Sequence, residues 1–120
     1  MAILTPTITL STDNATSDAL SITMTGTLTT TNPAINIARA SVLHTGPTNI
    51  LTTDDSVVTY VYLKNLDNTN IITVKTDGAV AFMDLDPGEF AFLPVKGAVG
   101  LEVQANAATC VLEYGYWAKG

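Results

Sequence analysis

In the stretch LSITMTGTL, residues 20–28, apolar and polar positions alternate without a break. Leu20, Ile22, Met24, Gly26 and Leu28 share one face, and Ser21, Thr23, Thr25 and Thr27 share the other. A period of two marks a strand with one face covered. Ile8-Thr9-Leu10 continues the pattern upstream, and Ala34–Leu43 does so less cleanly because Arg39 falls on the face of Ile35 and Ile37. Ser56–Leu63 is a β-branched and aromatic run, and Ile71–Thr76 and Ala79–Leu85 read as further strands. Glu89–Val95, Val99–Ala105 and Thr109–Trp117 complete the series, and no window of eleven or more residues has a helical period.

The punctuation agrees. Asn65–Asn70 is an Asx-rich loop able to satisfy its own backbone. Asp77-Gly78 signals a type I′ hairpin turn, and Pro87-Gly88 the centre of a type II turn. Lys96-Gly97 is a further turn, and Pro94 confines its strand to a sheet edge or a bulge. Eight or nine short strands predict an all-β, antiparallel β-sandwich, jelly-roll-like, with immunoglobulin-like or meander topologies as alternatives. Residues 1–19 read as an N-terminal arm or a first strand, and 20–120 as one sandwich domain.

Composition narrows the chemistry. Twenty of the 120 residues are Thr, only 13% are charged, and there is one His, one Cys and one Arg. A chain so poor in groups that move protons, bind metal or grip phosphate is badly equipped for catalysis, so no catalytic, cofactor-binding or metal residue is assigned. The net charge of −6 opposes direct nucleic-acid binding. No apolar run approaches the length of a membrane helix, so no membrane partner is expected. Hydrophobic residues nonetheless make up 47% of the chain and mean hydropathy is +0.31. That surplus belongs in a core or in subunit contacts, which points to an oligomer. MAILTPTITL lacks a cationic region and alternates, unlike a signal peptide.

Each chemical candidate has a plainer rival. Asp84, Asp86 and Glu89 could offer oxygen ligands to a hard cation, but solvated acids are ordinary at the end of a hairpin. Asp54-Asp55 could pair with them as the two carboxylates of a glycosidase, and generic surface acids are far commoner. His44 lies in a Gly/Pro-containing segment and reads as a loop residue. Cys110, between Ala108 and Val111, reads as a small buried hydrophobe. All eight aromatics fall within residues 56–117. Tyr60 and Tyr62 share one strand face, Phe90 and Phe92 another, and Tyr114 and Tyr116 a third, with Trp117 opposite the last pair. Most are expected in the core, with Tyr116 and Trp117 as candidates for an interface or for stacking on a sugar.

The stretch VYLKNLDNTNIITVKTDGAVAFMDLDPGEFAFLPVKGAVGLEVQANAATCVLEYGYWA carries a resemblance. Its "NLDN…I.V", "L.PGEF.FLPV" and closing "LEY" make residues 56–117 similar to capsid decoration (cement) proteins of tailed bacteriophage heads. The resemblance implies a non-enzymatic virion protein on the capsid exterior, a homotrimer bound to the major capsid protein. Contacts are then expected from Ile3, Leu4, Ile8 and Leu10 near the N-terminus and from Tyr114, Tyr116 and Trp117 in the last strand. The alternatives are a phage tail, neck or fibre-associated β-sandwich, and a carbohydrate-binding or adhesion module.

Overall fold

The computed structural model describes residues 2–31, 37–51, 58–96 and 99–119. Among the described residues every regular element is a strand and every strand pairing is antiparallel. Those up to Thr31 form one compact unit, and those from Ile37 to Lys119 form a second.

The first unit is a long hairpin. β1 (Ala2–Leu4) and β2 (Thr7–Thr12) run out, and β3 (Leu20–Thr25) and β4 (Leu28–Thr30) run back. One register holds from Ala2↔Thr30 through Leu4↔Leu28 to Thr7↔Thr25 and Thr12↔Leu20. The ladder breaks between the two pairs of strands, where Gly26 N–H donates to Pro6 O at 3.0 Å. Pro6 has no N–H to give a ladder, so the break falls where the chain lacks a donor. At the tip, Thr12 Oγ1 accepts the N–H groups of Asn14 (3.3 Å) and Ala15 (3.1 Å). Residues 20–30 therefore pair with residues 2–12, whereas the strand pattern assigns them to the sandwich segment.

The second unit is an eight-stranded sandwich of β5 (Ala38–Val42), β6 (Thr48–Leu51), β7 (Val58–Asn65), β8 (Ile72–Lys75), β9 (Ala81–Leu85), β10 (Phe90–Lys96), β11 (Leu101–Ala105) and β12 (Cys110–Ala118). One sheet has the order β10-β7-β12-β5 and the other β6-β11-β8-β9. Successive strands thus alternate between sheets from β5 to β8, and β9 to β12 return in reverse order. That is the wrapped hairpin of a jelly roll, as the strand pattern predicts. The inward residues alternate with outward ones. Val42, Val61, Leu63, Cys110 and Leu112 from one sheet meet Ile72, Val74, Leu101 and Val103 from the other, and all are at most 1% exposed. Burying such side chains contributes roughly 1.5–3 kcal/mol each, which fixes the faces of both sheets.

Turn chemistry agrees at two points and differs at one. Gly88 has φ 82°, and Glu89 N–H reaches Asp86 O at 2.9 Å, which makes the expected type II turn. Pro94 lies on β10, an edge strand. Between β8 and β9, however, the positive-φ residues are Gly78 (140°) and Ala79 (66°), one position later than a type I′ Asp77-Gly78 turn requires. Ala79 N–H bonds Thr76 O and Thr76 N–H bonds Val80 O, so the loop carries an extra residue. The register shift between Val74 and Lys75 accommodates that residue.

Candidate functional site

Two surfaces stand out, one in each unit. In the hairpin, the constant register stacks like on like. Thr7 lies opposite Thr25 and Thr9 opposite Thr23, with Oγ···Oγ distances of 3.3 and 3.2 Å, and Ser11 lies opposite Ser21. Paired hydroxyls spend their hydrogen bonds on each other and keep the ribbon together without charge. The other face carries Ile8 opposite Met24 and Leu10 opposite Ile22. Leu10 is 47% exposed, Ile22 43% and Met24 50%. Of the expected contact residues, Leu4, Ile8 and Leu10 share this apolar face, whereas Ile3 lies on the threonine face and is 70% exposed. The strands carry no charged residue, and β2 and β3 pair only with each other among the described strands.

In the sandwich, the outer face of β10-β7-β12-β5 collects the aromatic residues. Pairing sets Trp117 opposite Tyr60, Tyr60 opposite Pro94, and Tyr62 opposite Phe92. Tyr60 and Phe92 lie with ring centroids 6.2 Å apart and planes at 17°, and Tyr60 is buried. The strand faces of Tyr60/Tyr62 and Phe90/Phe92 therefore adjoin as one surface with Trp117. Tyr114 and Tyr116 point the other way and pack against the core, stacked at 6.5 Å and 13°. The alternation of β12 was enough to separate Trp117 from that pair, as the sequence predicts.

Gly115 shapes this face. A Cβ at Gly115 would meet Ile37 Cδ1 at 2.8 Å, and Trp117 Cη2 and Cζ2 at 3.0 and 3.4 Å. The six-membered ring of Trp117 therefore lies along the strand, over Gly115, instead of standing off the sheet. Beside the aromatics runs a polar row. Arg39, Glu113 and Lys64 are consecutive register partners across β5, β12 and β7, with Phe90 of β10 at the end of the row. Tyr62 Oη donates to Glu113 Oε1 at 2.9 Å, and Arg39 Nε lies 3.6 Å from Glu113 Oε2. With Arg39 68% exposed, that ion pair contributes at most about 1 kcal/mol.

Burial first, then the hydrogen bond to Glu113 and its negative charge, push the Tyr62 phenol above its ordinary range. A phenol raised in the folded state contributes stability fully below the ordinary tyrosine range and loses it as pH rises through the folded value. Glu113→Gln keeps an acceptor but removes the charge. In an alkaline ultraviolet titration, Tyr62 should then ionise at lower pH than in the parent protein.

The remaining candidates are separate. Asp84 Oδ1 accepts from Thr73 Oγ1 at 2.8 Å, and Glu89 Oε1 accepts the Asp86 N–H at 2.7 Å, each at an exposed position. Among the described residues no three His, Cys, Asp or Glu side chains gather as metal ligands would. Asp54 and Asp55 lie outside the described residues. His44 is exposed in the β5–β6 loop, where its carbonyl accepts from Gln104 Nε2 at 3.0 Å. Cys110 is buried, as the sequence predicts, and desolvation, followed by the nearby Asp67 charge, raises its thiol. Asp67 itself is held below its usual range by the N–H groups of Asn70 and Thr69.

Two groups escaped the sequence: the Arg39–Glu113–Tyr62 cluster and Asn65, a fully buried amide. Alternation along β12 puts Glu113 on the face of Trp117, but only the strand order brings Tyr62 and Arg39 to it. No family model, curated protein or solved structure gives a significant match to this chain.

Proposed function

We propose that this chain is a non-enzymatic structural protein of a bacteriophage virion. In this reading it is a capsid decoration protein, a homotrimer that binds the major capsid protein on the outside of the head and stabilises the shell. The observation that carries the reading is the N-terminal hairpin. It is a compact unit whose strands are free of charge, with one threonine face and one exposed apolar face. Charge and proline are the usual devices that keep strand edges from pairing with other chains, and β2 and β3 contain neither. Such a ribbon suits an arm that adds to a neighbour's sheet and lays apolar side chains on it. The resemblance of residues 56–117 to decoration proteins supports a capsid as that neighbour. Many copies per shell multiply a modest contact into a large one.

The test is light-scattering mass of the purified protein, followed by sedimentation with expanded, undecorated capsids. A trimer that co-sediments at shell stoichiometry and raises the capsid melting temperature is expected. Binding at the stoichiometry of a single ring of subunits would indicate a neck or tail component instead. A monomer that stays in the supernatant would exclude the proposal.

A further inference from the structure

We propose that Asp77-Gly78, in the loop between β8 and β9, is a self-modification site. There the main chain cyclises to a succinimide and reopens as an isoaspartyl link. The inference is independent of a virion role.

The chemistry needs only the chain and water. The Gly78 nitrogen attacks Asp77 Cγ, the N–Cγ bond forms, and the departing hydroxyl takes the N–H proton away as water. Water then adds to one of the two ring carbonyls. Breaking the N–Cγ bond restores aspartate. Breaking the bond from Gly78 N to the Asp77 main-chain carbonyl leaves the chain running through Cγ, and the former main-chain carbonyl becomes the free carboxylate. One water leaves and one returns, so charge and oxidation state are unchanged overall.

Three observations place this reaction at Asp77. First, Asp77 is the only aspartate in the chain that is followed by glycine. Any other residue sets a Cβ beside the attacking nitrogen. At Gly78 even an added Cβ would meet nothing within 4 Å, so no neighbouring group crowds that side. Second, the reacting peptide lies in an exposed turn. Gly78 has φ 140° and is exposed, as are Ala79 and Val80. Ala79 N–H donates to Thr76 O at 3.0 Å and Thr76 N–H to Val80 O at 2.9 Å, and neither bond uses the Gly78 N–H. Exposed loops of this kind open at little cost in free energy.

Third, each of the other described aspartates lacks one of these conditions. The Asp67 carboxylate is held by the N–H groups of Asn70 at 2.6 Å and Thr69 at 2.9 Å. Asp84 lies within β9, where its Oδ1 accepts from Thr73 Oγ1 at 2.8 Å. Pro87, after Asp86, has no N–H proton to lose. Asp13 and Asp18 are exposed at the hairpin tip, but Asn14 and Ala19 follow them and carry a Cβ. The product adds one carbon to the main chain inside the turn that Thr76 O and Ala79 N–H close. Asp77 N–H also donates to Val99 O at 3.2 Å, so the change falls where the β8–β9 and β10–β11 loops meet.

The test incubates the full chain in warm, mildly acidic buffer for several weeks, both folded and in urea. Samples are then treated with hydroxylamine, which cleaves the chain at a succinimide. Fragments 1–77 and 78–120 should accumulate with time. Peptide mapping by mass spectrometry should find isoaspartate at Asp77 ahead of Asp13 and Asp18. The folded chain should react within about tenfold of the rate in urea, because the loop opens at little cost. Asp77→Glu, which would need a six-membered ring, should lose the cleavage. Its reading in urea stands even if the variant fails to fold. Absence of the fragments from the folded chain would overturn the proposal. So would the same cleavage in Asp77→Glu, or isoaspartate arising first at Asp13 or Asp18.

Discussion

Asn65→Leu is expected to cost about 3 kcal/mol of unfolding free energy, since it strands three backbone groups at once. Asn65 ends β7 and is 0% exposed. Its Nδ2 donates to Asn70 O and to Leu85 O, both at 2.9 Å, and its Oδ1 accepts the Asp67 N–H at 2.9 Å. The main chain adds two more bonds, Asn65 N–H to Glu89 O and Gly88 N–H to Asn65 O, each 3.0 Å. Asn65 belongs to one sheet and Leu85 to the other, so this one side chain ties the two layers at the Pro87-Gly88 end. Leucine fills nearly the same volume and leaves no cavity, and its burial returns roughly 1.5–3 kcal/mol. The orphaned Leu85 carbonyl lies in the interior, however, and each such group costs about 1–3 kcal/mol. Urea denaturation measures the difference. Asn68→Leu, at an exposed position of the same loop, should change stability by no more than about 0.5 kcal/mol. A loss of that size for Asn65→Leu as well would mean the Leu63–Leu112 core holds the sheets without the amide.

Why Asn65 was not visible beforehand is instructive. The run Asn65–Asn70 contains three asparagines and one aspartate, all suited to turns. Which of them turns inward depends on where β7 ends relative to β9, a contact twenty residues away. The same division between local and distant information runs through the whole molecule. Strand existence was legible, because Ile72, Val74, Leu101 and Val103 must share a covered face whatever they pack on. The edge position of β10 was legible, because Pro94 has no N–H to give to a second neighbour. The aromatic platform was not. It depends on Tyr60 facing Trp117 in one ladder and Pro94 in another, and no local pattern states which strands will be neighbours. Gly115 offered a hint, since a glycine inside a strand often marks a close approach. The partner of residues 20–30 was not legible for a related reason. Alternation in Leu20–Leu28 shows that one face is apolar, and not whether that face belongs to the sandwich.

The double variant Leu10→Lys with Ile22→Glu should abolish co-sedimentation with undecorated capsids, a loss of at least about a hundredfold in affinity, while the sandwich unfolds as before. The two residues are direct register partners on the apolar face. Opposite charges placed across a ladder attract, so the ribbon itself should persist and only its exposed surface changes character. Both positions are nearly half exposed in the free chain, which keeps the cost to folding small. What changes is the cost of covering them, since each charge would have to leave water without a partner on the capsid. Thr9→Lys with Thr23→Glu makes the matching change on the hydroxyl face, again between register partners. If the apolar face is the contact, this second variant binds like the parent. If it is the one that loses capsids, the threonine face meets the shell and the apolar face serves contacts within the trimer, which light scattering of the first variant would then show as dissociation.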